Sequence, residues 1–148
     1  MVAHDLLDRR YAFVDVRAHE KRQVLSELAK QAAPALNIPP EIVRDALLQR
    51  EELGSTGMGN GIAIPHARFD QMRTPFGLLA RLKPAIPFEA IDDQPVDLVF
   101  LLLLPKAANG ENLKALTCIA RRLRDPAIAT ALRKVKSAVE LYQQFVQG

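Results

Sequence analysis

The chain has 148 residues, of which 49% are hydrophobic and 25% charged, and this balance is typical of one globular domain. A net charge of +3 does not favour a nucleic-acid partner, and the longest apolar run, 98–104, is far shorter than the roughly 20 residues that span a bilayer. The chain starts without a signal-like segment and has a single cysteine, Cys118, which favours a cytoplasmic protein without disulfides or membrane insertion.

The first third of the chain predicts a lead-in and two helices. Residues 1–18 lack a clear period, which predicts an irregular or partly extended segment. Apolar residues recur at helical spacing from Lys21, and Pro34 is expected to limit this helix. Pro40 suits the start of a second helix, which places Arg50 near its last turn. The buried face of the second helix is expected to comprise Ile42, Val43, Ala46 and Leu47.

Strand patterns occupy the middle of the chain. Short strands are expected at 62–64 and 76–82, with a break at Lys83-Pro84 and a further extended piece at 86–88. The run 96–104 is continuously apolar, which predicts a central strand covered on both faces.

Helical patterns return after this strand. A long helix is expected to open at Asn109 or Gly110, with an inward face of Leu113, Leu116, Ala120 and Leu123. A short helix should start at Asp125-Pro126, and Ser137 should cap a last helix. The order of elements predicts a single α/β (α+β) domain, in which helices flank a small mixed sheet.

A glycine-rich loop leads directly to a histidine. Four glycines fall within residues 54–61, and Pro65-His66 follows a short apolar run. Clustered glycines are expected where the backbone approaches another group closely. The loop lacks the lysine of a phosphate-binding P-loop and the glycine spacing of a dinucleotide site, so we expect no nucleotide cofactor. The chain also lacks metal-binding histidine or cysteine motifs and the G-x-S-x-G pattern of serine hydrolases.

His66 is the candidate reactive residue. A neutral imidazole is a competent nucleophile near pH 7 and can form covalent intermediates. A phosphoryl group on this ring would need positive charge and hydrogen-bond donors, which Arg50, Arg68 and the loop could supply, with Ser55 and Thr56 as hydroxyl donors. The alternative is a histidine that ends a strand and bonds to a carbonyl, and the residues by themselves leave both interpretations open.

The stretch 50–68, REELGSTGMGNGIAIPHAR, resembles the active-site signature of EIIA domains of the fructose/mannitol type in the bacterial phosphoenolpyruvate phosphotransferase system. The similarity continues through 86–105, 113–125 and 137–145, and it is strongest to the nitrogen-regulatory EIIA proteins. The resemblance implies a mixed sheet flanked by helices. It also implies phosphoryl transfer from the phosphohistidine of an HPr-like carrier protein, without a cofactor.

The resemblance assigns roles to individual residues. His66 corresponds to the phosphoacceptor and Arg50 to the arginine that contacts the phosphoryl group. Asn112 stands where the family usually has a second histidine, and an amide cannot become cationic, so slower transfer is expected. Asn112 equally suits a helix N-cap. Phosphoryl binding is expected from Ser55, Thr56, Gly57 and Gly59, and partner contacts from Met58, Ile62 and Arg68.

Three functions follow from these patterns. The leading interpretation is a phosphocarrier with a regulatory role, whose target by resemblance is a potassium transporter or a sensor kinase. The second is a protein-binding module that is phosphorylated slowly or not at all because of Asn112. The third is a sugar-transport EIIA that passes phosphate to an EIIB. The lack of an EIIB-like cysteine domain in this sequence argues mildly against this third function.

Overall fold

The computed structural model describes residues 1–107 and 110–147. Within these residues the strands are β1 Ala12–Val16, β2 Gly57–Gly59, β3 Ile62–Ala63, β4 His66–Phe69, β5 Phe76–Ile86 and β6 Val96–Pro105. The α-helices of the same ranges are α1 Lys21–Leu36, α2 Pro40–Glu52, α3 Glu111–Arg124, α4 Pro126–Lys134 and α5 Ala138–Val146. Short 3-10 turns at Ala3–Asp5 and Arg9–Tyr11 precede β1. The predicted fold class is therefore confirmed.

Strand β6 is the centre of the sheet. It pairs with β5 in antiparallel orientation on one side and with β3 and β4 in parallel orientation on the other. Its side chains alternate between two separate cores: Val99, Leu101 and Leu103 face one, and Leu98, Phe100 and Leu102 face the other. Each such fully buried side chain contributes about 1.5–3 kcal/mol. The prediction of a central strand covered on both faces is confirmed.

Two layers of helices enclose the sheet. Helices α1 and α2 pack on one face, and α3, α4, α5 and the N-terminal segment pack on the other. Because β4 lies beside β6, with His66 opposite Leu102, the first residue of this short strand is placed against the fully buried central strand of the sheet. The order β1-β5-β6-β3-β2 puts the glycine-containing strand β2 at an edge.

Three boundaries differ from the predictions. Within the segment predicted to be irregular or partly extended, residues 12–16 form a regular edge strand parallel to β5, whose bounds and pairing the sequence did not give. Pro34 lies inside α1, which ends at Leu36, because a proline removes only one helical hydrogen bond and the buried face of α1 outweighs that loss. Strand β5 continues through the cis peptide Lys83-Pro84 to Ile86. A proline is tolerated there because residues 83–85 are exposed, so the backbone N–H that proline lacks is not needed for a buried hydrogen bond between strands.

Two of the predicted helix faces are wrong in part. Ile42 and Leu113 are exposed, although the apolar spacing predicts both on buried stripes. The buried stripe of α3 comprises Ala115, Ile119 and Leu123. This helix is preceded by Gly110, whereas Asn109 lies outside the described residues. Helices α4 and α5 begin as predicted, with the side chains of Asp125 and Ser137 accepting hydrogen bonds from the first turns.

Candidate functional site

A cleft of about 240 Å³ opens beside His66. Its walls are the last turn of α2, the glycine loop, the β3–β4 segment and one face of α3. It brings together six of the predicted site residues, which are Arg50, Ser55, Thr56, Gly57, Met58 and His66. A larger depression of about 860 Å³ lies around residues 4–11, but it contains none of these residues, so volume alone does not identify the site.

The imidazole of His66 is held in one orientation. Its Nδ1 lies 2.8 Å from the carbonyl oxygen of Ile64. A carbonyl can only accept a hydrogen bond, so Nδ1 carries the proton and donates it. The other ring nitrogen, Nε2, therefore keeps its lone pair. The sequence left open a histidine that only bonds to a carbonyl. The structure shows such a bond, to Ile64, but it occupies Nδ1 and therefore leaves Nε2 as the nitrogen that would react.

The surroundings of His66 favour a neutral ring. Burial lowers the pKa of His66, and the guanidinium groups of Arg50 and Arg68 lower it further. The hydrogen bond to Ile64 and the carboxylate of Glu51 act in the opposite direction, but the net effect is a pKa below the usual 6.5. The ring is therefore neutral at pH 7, which is the protonation state that a nucleophilic nitrogen needs.

Arg50 reaches the cleft from the last turn of α2. Its Nη1 donates to the carbonyl oxygen of Gly54 at 2.8 Å, just beyond the end of the helix. Gly54 has a φ of 148°, so the chain turns away there in a conformation that suits glycine. A guanidinium has five N–H donors, and within the described ranges Arg50 uses no others on the protein. The remaining donors are available to an anion in the cleft.

The buried carboxylate of Glu51 holds the glycine loop in place. Glu51 is only 9% exposed. It pairs with Nζ of Lys21 at 3.0 Å and accepts from the backbone N–H of Thr56 at 3.1 Å. It also accepts a hydrogen bond from the hydroxyl of Thr56. The sequence gives no sign of this role, because a glutamate beside a second glutamate at a helix end is typical of an exposed position.

A second set of bonds shapes the same loop. The hydroxyl of Ser55 donates to the carbonyl oxygen of Phe88 at 2.7 Å and accepts from the N–H of Gly57 at 3.0 Å. A Cβ on Gly57 would lie 2.8 Å from the backbone of Ala90, so only glycine fits there. The hydroxyls of Ser55 and Thr56 and the N–H of Gly57 already have partners. In this structure these groups shape the cleft, and phosphoryl binding by Ser55, Thr56 and Gly57 stays a prediction.

Replacing Glu51 with glutamine should lower the free energy of unfolding by about 2–4 kcal/mol, because an amide has no negative charge to pair with Lys21 and keeps only one of the two acceptor oxygens of the carboxylate. Thermal unfolding followed by circular dichroism measures the effect. The control is the same change at the neighbouring exposed Glu52, which should cost less than about 0.5 kcal/mol. Equal melting temperatures for the two variants would show that the buried network does not hold the loop.

Three predicted residues lie elsewhere. Ile62 is 2% exposed and packs in the core between β2 and β6, so its predicted contact with a partner is wrong. Gly59 is next to the side chain of Asp92 and is not among the described residues that line the cleft. Arg68 is exposed and lies two residues beyond His66 on β4, which places both side chains on the same face of the strand.

Asn112 does not line the cleft among the described residues. It lies in the first turn of α3 and its Nδ2 donates to the carbonyl oxygen of Pro105 at 2.8 Å. Its Oδ1 is buried without a hydrogen-bond partner in the part of the chain that the structure describes. The alternative prediction of an N-cap is wrong, since Gly110 occupies that position. Asn112 instead ties the start of α3 to the end of β6.

The structure adds residues that the sequence did not single out. Leu116, Ala120 and Arg124 line the cleft from α3. Their i, i+4, i+8 spacing places them on one helix face, a signal that by itself indicates only a core-facing stripe. Leu53 and Ile91 flank the loop and are each 85% exposed. Their residue type predicts burial, so the sequence did not mark them as surface residues.

Membrane-spanning helices and metal-binding clusters are both missing from the described ranges. No helix within 1–107 or 110–147 combines the length and the apolar character that crossing a membrane requires. The same ranges contain no cluster of three or more histidine, cysteine, aspartate or glutamate side chains that could hold a metal ion.

Comparisons with known proteins agree with this fold. Residues 5–147 match the family model of the phosphoenolpyruvate-dependent sugar phosphotransferase system, EIIA 2. A nitrogen regulatory protein of Bradyrhizobium diazoefficiens is 48% identical over 127 residues, which cover 86% of this chain and 83% of the relative.

Solved structures show the same likeness. The nitrogen regulatory protein IIA-Ntr of Neisseria meningitidis superimposes with a TM-score of 0.89 at 31% identity, over 97% of each chain. The mannitol enzyme IIA of Escherichia coli, in its complex with phosphorylated enzyme IIB, gives a TM-score of 0.78 at 22% identity, over 94% of this chain and 96% of the other, and shows a likeness of fold alone. The chain therefore belongs to the EIIA 2 family of the phosphoenolpyruvate-dependent sugar phosphotransferase system.

Proposed function

We propose that this protein is a phosphocarrier that accepts a phosphoryl group on Nε2 of His66 from an HPr-like phosphohistidine protein and acts as a nitrogen-type regulatory EIIA. The observation that carries the proposal is the bond from Nδ1 of His66 to the Ile64 carbonyl, which leaves Nε2 unprotonated beside Arg50. The names of the nitrogen regulatory relatives support the regulatory part.

The chemistry requires no proton transfer. The lone pair of Nε2 forms a bond to phosphorus while the nitrogen–phosphorus bond of the donor breaks and its electron pair returns to the donor imidazole. The ring of His66 becomes cationic, and the Ile64 carbonyl stabilises its Nδ1–H. Arg50 stabilises the charge on the phosphoryl oxygens. Because one imidazole replaces another, the exchange is close to balanced in both directions.

The surface around the cleft suits a protein partner. Leu53 and Ile91 are exposed apolar side chains beside the loop. Met58, which belongs to the loop and lines the cleft, is partly exposed. Arg68 adds positive charge next to His66. We propose that the carrier protein docks on these side chains. A phosphoryl group adds roughly two negative charges, which would switch the binding of a regulated target such as a potassium transporter or a sensor kinase.

Two other functions make different predictions. A binding module would be phosphorylated slowly because Asn112 is neutral and committed to Pro105. A sugar-transport EIIA would pass its phosphoryl group to an EIIB, and the mannitol enzyme IIA of Escherichia coli forms a complex with phosphorylated enzyme IIB.

The test is phosphoryl transfer to the natural protein and to the Asn112→His variant. Each is incubated with the carrier, its upstream kinase and phosphoenolpyruvate, and intact masses are recorded without acid. We expect one phosphoryl group on the natural protein and a rate in the variant within about threefold, because position 112 does not line the cleft. No phosphoryl group on the natural protein, or a gain of about 100-fold in the variant, would support the binding module. Transfer onward to an added fructose or mannitol EIIB would support sugar transport.

A further inference from the structure

We infer that Arg124 is a second residue that contacts the phosphoryl group bound to His66. The inference rests on the proposed transfer to His66 and extends it to a residue of α3.

The position of Arg124 is the first argument. It is the last residue of α3 and it lines the cleft together with Leu116 and Ala120. Arg50 comes from the end of α2 instead. The cleft therefore has arginines on two different walls. A phosphoryl group on Nε2 of His66 has three acceptor oxygens and roughly two negative charges. One guanidinium binds two of these oxygens as a bidentate pair, so the third oxygen remains for a second cation.

The second argument is that Arg124 is available. Its side chain is exposed, and within residues 1–107 and 110–147 it forms no hydrogen bond or ion pair. Other nearby polar groups are committed. Arg122 donates to the carbonyl oxygen of Phe145 at 2.9 Å, and the carboxylate of Asp125 accepts from the N–H of Ala127 at 2.9 Å. The C-terminal end of α3 also stabilises a cation at this position through the helix dipole.

The third argument concerns what Arg124 does not do. Arg50 and Arg68 both lower the pKa of His66, whereas Arg124 is not among the groups that change it. Its charge is therefore not among those that act on the unphosphorylated ring. A group bonded to Nε2 projects into the cleft that Arg124 lines, so the phosphoryl oxygens are the group that its guanidinium would meet there.

The experiment compares Arg124→Gln and Arg124→Lys with Arg121→Gln. Arg121 is an exposed arginine of the same helix that lines an adjacent depression but not the cleft, which makes it the matched control. Each protein is phosphorylated by the carrier and, separately, by phosphoramidate, a small phosphoryl donor that needs no docking. Rates, the lifetime of phosphorylated His66, the pKa of its ring from nitrogen NMR and the melting temperature are measured.

We expect Arg124→Gln to slow phosphorylation by both donors about 5- to 10-fold and to shorten the lifetime of the phosphorylated state. The pKa of His66 and the melting temperature should not change. Arg124→Lys should restore part of the rate, and Arg121→Gln should match the natural protein. If Arg124→Gln reacts with phosphoramidate at the normal rate, the inference about Arg124 is overturned and the proposed function is not. The same conclusion holds if this variant is slowed only in its reaction with the carrier. Failure of the natural protein to accept phosphate from either donor would overturn the proposed function as well.

Discussion

Replacing His66 with glutamine is expected to reduce phosphoryl transfer by at least about 1,000-fold, to the background of the assay. Glutamine keeps a polar side chain of similar reach but has no nitrogen lone pair that can attack phosphorus. The measurement is intact mass spectrometry at neutral or alkaline pH after incubation with the carrier and phosphoenolpyruvate, because phosphohistidine is labile in acid.

The matched control is His19→Gln. His19 is exposed and is not among the described residues that line the cleft, so this variant should be phosphorylated at the normal rate. The folded state should survive the His66 change, since the ring's hydrogen bond to Ile64 is worth about 0.5–1.5 kcal/mol. An acid-labile phosphoryl group that persists in a folded His66→Gln protein would rule out His66 as the acceptor.

Replacing Arg50 with glutamine should slow phosphoryl transfer by about 100-fold, because the amide cannot neutralise charge that develops on the phosphoryl oxygens. The same change should raise the pKa of His66, since the Arg50 guanidinium is one of the causes that lower it. A larger fraction of the ring is then protonated at mildly acidic pH, where protonated imidazole has no lone pair on Nε2. The rate of the variant should therefore fall further as the pH drops below about 7.

The check combines transfer rates between roughly pH 5.5 and 8, the range of histidine titration, with nitrogen NMR of His66. Arg44→Gln is the control, because Arg44 lies on the same helix and bonds instead to Asp45 at 2.9 Å. Its rate and the pKa of His66 should match the natural protein. An Arg50→Gln variant with an unchanged rate would remove Arg50 from the proposed site, even if the pKa moved.

Local patterns predicted the parts of the site that depend on one stretch of chain. The spacing from Arg50 to His66 contains a helix end, a glycine loop and a strand start, and the structure joins these two side chains in one cleft. The continuous run 96–104 predicted a strand with two covered faces, which only a central position provides. These features depend on backbone preferences and on apolar content, which are properties of neighbouring residues.

Other features required distant residues to meet. Glu51 is buried because Lys21, 30 positions earlier, lies against it, and nothing at either position distinguishes them from surface charges. Ile62 is apolar and adjacent to the loop, but the pairing of β3 with β6 places it in the core. Asn112 bonds to Pro105 and is not among the described residues that line the cleft.

The sequence by itself determined the class of fold, the central strand, the family and the histidine to be tested. Only the tertiary structure decided which nitrogen of His66 keeps a lone pair, which loop donors are already used and which arginine of α3 faces the cleft. The physical reason is that a residue's type and its local period record backbone preference and hydrophobicity. Hydrogen-bond partners and burial depend on elements far apart in the chain that meet only when the sheet and helices pack.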